Sequence, residues 1–252
     1  MRIGIWAVVA ALGLLLLDAG GSLAAEPVRA RLVQGTAGSA GLHFQLEPGW
    51  KFYWRQPGEG GVPPRFDWSG SRNLAGVDVE WPAPRRMSIG GVDLIGYKGE
   101  VVLPLRYQAH KAGKPVTLKL LAEFGVCKEI CVLREERLTL TINPGEGPAA
   151  ALIERFRADV PGNLAAAGLE PPALRLKEGK LLLRFGPQAG LQAPDIFVEG
   201  PAEYWFGKPK LLPQGDGGLE LALPYTPAAQ PPVLGGLRFT LVDGRRSAEF
   251  TP

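Results

Sequence analysis

The sequence is poor in the residues that most enzymes rely on. Its 252 residues include two cysteines and two histidines, and the formal charge is only +3. So small a charge gives no electrostatic footprint for nucleic acid, and no nucleic-acid partner is expected. His43 falls in an alternating run and His110 in a polar turn, and there is no G-x-S-x-G segment. A Ser/His/Asp hydrolase therefore lacks its parts. A phosphate-binding loop and a dinucleotide fingerprint are also missing. Carboxylates are scattered, and Glu129 reads as solvated rather than catalytic. Nothing here calls for a cofactor. After the first two dozen residues, no stretch is long and apolar enough to cross a bilayer.

Those first residues are a different matter. Arg2 precedes an apolar run from Ile3 to Leu17 that ends at Asp18. Ser22-Leu23-Ala24 then places small residues at the −3 and −1 positions of a cleavage site before Ala25. Residues 1–24 read as a secretory signal peptide, too short to span, with an uncleaved anchor as the alternative. Export would put the cysteines in an oxidising compartment, where an unassisted pair is normally oxidised.

Pro and Gly make up nearly a quarter of the chain, and short alternating runs lie between them. That combination predicts a loop-rich all-β protein rather than disorder. Residues 25–143 read as one domain of seven or eight short strands, a sandwich. Its strands include Leu42–Leu46, the aromatic Trp50–Arg55, Phe66–Trp68, Val77–Trp81 and Glu100–Tyr107. Most of these aromatics read as core. Residues 144–172 form a linker followed by a helix over Ala149–Ala158, with apolar spacing at Leu152, Ile153 and Phe156. Residues 173–252 return to alternation and read as a second, smaller β-sandwich without Cys, His or motif. Within it, Glu203–Phe206 reads as a core strand or strand edge, with a partner-facing patch as the alternative.

What chemistry remains lies in Phe124-Gly125-Val126-Cys127-Lys128-Glu129-Ile130-Cys131-Val132. Val116 to Val126 alternates on one side and Arg137 to Ile142 on the other, so the cysteines sit where one strand turns into the next. On a straight strand they would be about 13 Å apart at ~3.3 Å per residue. A disulfide needs Cα atoms within roughly 7 Å. Either the chain reverses between them or Lys128-Glu129-Ile130 makes one helical turn. Both put the sulfurs at an exposed tip, a place suited to exchange, because a thiolate must be reached by its partner. A structural staple is the bland alternative, although so short a loop stabilises little. A Cu(I) site on Cys127 and Cys131, with His43 or His110 as a third ligand, is the other. Lys128 and Arg134 would lower a thiol pKa, and Glu129 would raise it.

Three blocks carry a resemblance: Gly49-Trp50-Lys51-Phe52-Tyr53-Trp54-Arg55-Gln56-Pro57-Gly58, Tyr97-Lys98-Gly99-Glu100-Val101-Val102-Leu103-Pro104 and Val126-Cys127-Lys128-Glu129-Ile130-Cys131-Val132. In that order they resemble the periplasmic N-terminal region of the DsbD/ScsB family of transmembrane thiol:disulfide reductases. Val198-Glu199-Gly200-Pro201, Phe206-Gly207 and Leu241-Val242-Asp243-Gly244 are similar to the second β domain of ScsB-type members. The resemblance implies an immunoglobulin-like domain that takes electrons from a membrane thiol reductase and passes them to periplasmic thioredoxin-like proteins. It implies that Cys131 attacks the partner disulfide and that Cys127 resolves the intermediate. It also implies that the loop containing Asp93, Leu94, Ile95 and Tyr97 caps the active site; an ordinary hairpin loop with Tyr97 packed on its own strand is the alternative. The chain departs from the pattern in three ways. Its Cys-x3-Cys spacing is shorter than that of enterobacterial DsbD, though similar to that of ScsB-type members. Leu133 stands where a proline often follows the second cysteine. The sequence ends at Pro252 without the family's membrane and thioredoxin domains, so the expected donor is a separate membrane protein.

Overall fold

The computed structural model describes residues 26–252 except Gly90 and Ala228. The expected signal segment lies outside the described residues. The first unit contains ten strands: β1 (Val28–Gln34), β2 (Ser39–Leu46), β3 (Lys51–Gly58), β4 (Arg65–Asp67), β5 (Leu74–Val79), β6 (Arg85–Ile89), β7 (Val92–Lys98), β8 (Glu100–Ala109), β9 (Val116–Cys127) and β10 (Cys131–Ile142). They form two antiparallel sheets, β1-β2-β8-β5 and β10-β9-β3-β7-β6, with β4 added beside β9. Period-two side chains from both sheets meet between them. Leu42, Phe44, Leu103 and Leu105 come from one sheet, and Phe52, Leu118, Phe124 and Val126 from the other. Phe44 stacks on Phe52 across the gap with ring centroids 4.1 Å apart. The result is the immunoglobulin-like sandwich expected. The strands beyond the expected seven or eight include β6 and β7, a hairpin in the Gly-rich stretch.

The helix α1 (Ala150–Arg157) lies on the outer face of β2 and β8. This explains why β2 is buried on both faces. Ile153 of α1, fully buried, packs so tightly over Gly41 that a Cβ there would come within 3.0 Å of its Cγ1. His43, on that same outer face, is buried beside it. Its Nδ1 accepts a hydrogen bond from Arg31 Nε at 3.1 Å, and its Nε2 meets Glu100 Oε1 at 3.0 Å. Glu100 also accepts from Arg155 of the helix at 2.6 Å.

The second unit contains β11 (Ala173–Lys177), β12 (Lys180–Phe185), β13 (Asp195–Glu199), β14 (Trp205–Phe206), β15 (Lys210–Pro213), β16 (Leu219–Thr226), β17 (Arg238–Asp243) and β18 (Arg246–Phe250). One sheet runs β11-β12-β16-β14, with β15 also on β16, and the other runs β13-β17-β18. Leu181, Leu183, Leu221, Leu223, Phe239 and Leu241 fill the space between them. Phe206 of β14 belongs to that core, as a core strand requires. Strand β13 serves both units by parity. Ile196 and Val198 face the second core, whereas Phe197 enters the first.

Candidate functional site

Cys127 ends β9 and Cys131 begins β10, directly opposite each other in the antiparallel register. The chain reverses between them. The Lys128 amide donates to the Ile130 carbonyl at 3.1 Å, so a tight hairpin turn forms rather than a helical one. The Cα atoms lie 4.1 Å apart, and the sulfurs are bonded. The two cysteines differ sharply in environment. Cys127 has 0% of its surface exposed, whereas Cys131 is exposed on the outer face of an edge strand.

Cys127 is buried by neighbours across the sheet. Strand β3 lies beside β9, with Lys51 opposite Cys127, and β7 lies beside β3. Alternation sends Phe52 and Trp54 into the main core and turns Tyr53 to the other face, where it forms a small cluster with Leu94 and Cys127. The Tyr53 hydroxyl lies 2.7 Å from Cys127 Sγ and 3.2 Å from Cys131 Sγ. Bonded sulfurs carry no hydrogen, so the phenol is the donor to both. Burial raises the Tyr53 pKa, which keeps that proton in place. The ring lies against Gly125, where a Cβ would come within 2.9 Å of Tyr53 Cε2. Only a residue without a side chain lets the phenol reach the sulfurs.

The segment expected to be a capping loop is strand β7, paired with β3 and β6. The backbone pairs on both sides, so the loop reading is corrected to a strand. Its side chains divide by parity. Leu94 covers Cys127, while Ile95 and Tyr97 enter the main core, where the Tyr97 hydroxyl donates to the Pro82 carbonyl at 2.7 Å. The Asp93 carboxylate lies 3.9 Å from Arg86.

Charge around the turn is unevenly placed. The Lys51 pKa is lowered, first by desolvation and then by the nearby cations Lys98 and Lys128. Three ammonium groups thus crowd the strand ends next to Cys127. Arg134 is engaged elsewhere, donating to Glu136 at 2.8 Å and to Glu26 at 3.4 Å. Exposed apolar side chains border the tip: Ile130 and Leu133 are 70% and 69% exposed. Val62 lies across a groove from Leu133, and Val92 is exposed at the start of β7. Among the described residues, no group of three or more His, Cys, Asp and Glu is arranged to hold a metal ion. The ring nitrogens of His43 are committed to Arg31 and Glu100, and the His110 backbone amide donates to the Asn73 carbonyl where the β5–β8 pairing ends. Neither histidine joins the cysteines.

The domain that bears this hairpin is similar to known ones. Residues 22–143 match the N-terminal domain of the thiol:disulfide interchange protein DsbD. They belong to the DsbD N-terminal family. Residues 159–252 match a domain of unknown function, DUF8393. Among solved structures, the N-terminal periplasmic domain of ScsB from Proteus mirabilis is 26% identical, with a TM-score of 0.70 over 89% of this chain and 91% of that one. The reduced N-terminal domain of DsbD from Neisseria meningitidis is 14% identical over 47% of this chain and 89% of that one, with a TM-score of 0.28. Comparison with curated proteins gives no match. The bonded pair on its hairpin is thus the feature expected of a DsbD N-terminal domain, and the similarity to the ScsB domain extends over both units. Tyr53 is the site residue that sequence reading overlooked. It stands in an aromatic block whose pattern alone reads as core.

Proposed function

We propose that the protein is a periplasmic thiol:disulfide interchange protein in which Cys131 meets the partner and Cys127 resolves the intermediate. One observation carries this reading: within a single bonded pair, Cys131 is an exposed residue and Cys127 is fully buried beneath Tyr53 and Leu94. A staple has no need of that asymmetry, whereas exchange requires one reachable sulfur.

In the reduced protein, the Cys131 thiolate attacks a partner disulfide. A mixed disulfide forms, and one partner sulfur leaves as a thiolate. The Cys127 thiolate then attacks Cys131 Sγ, re-forming the Cys127–Cys131 bond and releasing the second partner thiolate. Two electrons pass to the partner, and this protein ends oxidised. A membrane thiol reductase restores the dithiol by the reverse sequence. Lys51, Lys98 and Lys128 favour the thiolate electrostatically, and the Tyr53 hydroxyl can donate to it. Leu94 and Tyr53 shield Cys127 from unselective oxidants. The apolar border of Ile130, Leu133, Val62 and Val92 offers a docking surface for a thioredoxin-like acceptor.

Trapping tests the assignment. Reduced Cys127→Ser, exposed to an oxidised periplasmic thioredoxin-like protein, should accumulate a mixed disulfide that dithiothreitol releases. Cys131→Ser should accumulate far less. Equal trapping by both variants, or none by either, would reject these roles.

A further inference from the structure

We infer that the second unit braces the two strands that bury Cys127, with Arg86 and Arg55 as positioning residues, and thereby confines thiol exchange to Cys131. The inference rests on the reading of Cys127 as the resolving thiol, and it gives the domain of unknown function a task.

The contact is built on alternate residues of β13. Asp195, Phe197 and Glu199 all engage the first unit. Arg86 Nε and Nη2 donate to the two carboxylate oxygens of Asp195, each at 3.0 Å, and Nη2 also reaches the Ile196 carbonyl at 3.3 Å. The guanidinium lies 5.2 Å from the centre of the Phe197 ring. Phe197 in turn meets Trp54 edge-on with ring centroids 6.0 Å apart. Arg55 donates to both oxygens of Glu199, at 2.8 and 2.7 Å, and to Glu249.

These are not loose surface pairs. The Arg86 side chain is 9% exposed and that of Arg55 is 19%. Forked, partly buried pairs of this kind are strong and directional, and removing one partner strands the other's charge. Their positions matter more than their number. Arg55 lies two residues from Tyr53 on β3, with Trp54 between them. Arg86 precedes Met87, the residue that pairs with Leu94. Strand β6 is also the edge of its sheet, so within that sheet its hairpin with β7 is held only through β3. Edge hairpins are where local opening is easiest. The second unit closes this edge from the other side, and so holds Leu94 over Cys127.

Limiting iodoacetamide on the reduced full chain reads the cover directly, with peptide mass mapping to assign the label. The wild type should be alkylated on Cys131 in large excess over Cys127. In Arg86→Met, the share on Cys127 should rise about tenfold, equivalent to about 1.4 kcal/mol of easier opening. Backbone amides of Val92–Lys98 should also exchange faster with deuterium. Arg86→Lys, which keeps the charge without the fork, should fall between the two. Asp195→Asn weakens the same contact more gently and serves if Arg86→Met does not fold. Arg175→Gln strips the buried Glu220 of its partner inside the second unit and should leave the labelling ratio at the wild-type value. The inference is overturned if folded Arg86→Met or Asp195→Asn keeps both the ratio and the exchange rates, or if Arg175→Gln shifts the ratio equally. It is also overturned if the wild type labels both cysteines alike. Iodoacetamide needs no protein partner, so failure of the wild type to exchange with a thioredoxin-like protein would reject the proposed function while leaving this test readable.

Discussion

Replacing Tyr53 with Phe removes one hydroxyl and keeps the ring that lies on Gly125. In the oxidised protein the lost hydrogen bond ends on disulfide sulfurs, which are weak acceptors. The destabilisation should therefore fall toward the low end of the ~0.5–1.5 kcal/mol typical of a neutral hydrogen bond. The larger effect is expected after reduction. A thiolate at this site is a charged acceptor, and a hydrogen bond to a charged group contributes about 1.5–3 kcal/mol. A neutral thiol is as weak an acceptor as the disulfide, so the difference between thiolate and thiol is about 1 kcal/mol or more and favours the ionised form. At about 1.4 kcal/mol per pKa unit it amounts to roughly one unit. Tyr53→Phe should thus raise the apparent pKa of the reactive thiol by roughly one unit while barely changing the fold. The rate of iodoacetamide alkylation against pH measures the first quantity, and denaturant unfolding of the oxidised form measures the second. An unchanged thiol pKa would refute the reasoning. So would a stability loss beyond about 3 kcal/mol, which would make Tyr53 chiefly a packing residue.

Three further outcomes are expected. Gly125→Ala places a Cβ 2.9 Å from the Tyr53 ring and should cost about 1–3 kcal/mol in denaturant unfolding, with the Tyr53→Phe pKa change reproduced as the phenol is displaced. Ile130→Ser with Leu133→Ser should change stability by no more than about 0.5 kcal/mol per site, because both side chains are exposed, yet slow exchange with a protein disulfide; an unaltered rate would remove them from the docking surface. His43 is held below the ordinary imidazole range, first by burial and then by the Arg31 charge, so below about pH 6.5 the unfolded chain binds the proton more readily. Its contribution to stability is full above that pH and is lost as pH falls toward the folded pKa, with a slope of at most about 1.4 kcal/mol per unit. His43→Gln should flatten that part of the stability profile, and a slope that persists would place its origin elsewhere.

The hairpin bearing the cysteines was legible because Val116–Val126 and Arg137–Ile142 keep strict period two, and a four-residue offset admits few ways to join two sulfurs. The helix was legible from Leu152, Ile153 and Phe156, although not the sheet face it would cover. Strand β7 was hidden because Gly90, Gly91, Asp93 and Gly96 favour turns locally. Its strand conformation comes from pairing with β3 and β6, a tertiary effect that overrides propensity. Tyr53 was hidden in a different way. Phe52, Tyr53 and Trp54 are all large aromatics, and only the register that sets Lys51 opposite Cys127 puts Tyr53 on the cysteine face. The division of β13 between two cores follows the same parity rule, but no sequence window reveals which neighbour each face meets.

The central claim is that Cys127–Cys131 is a carrier of electrons, and its reduction potential tests this most directly. The loop it closes is short, which contributes little entropic stabilisation, and Cys131 is an exposed residue. Thiol trapping of the full chain across a series of redox buffers should therefore give a potential well above about −300 mV, with the domain folded in both states. A bond that stays oxidised far below that potential, or a domain that unfolds when it is reduced, would make the pair a structural staple and contradict the account.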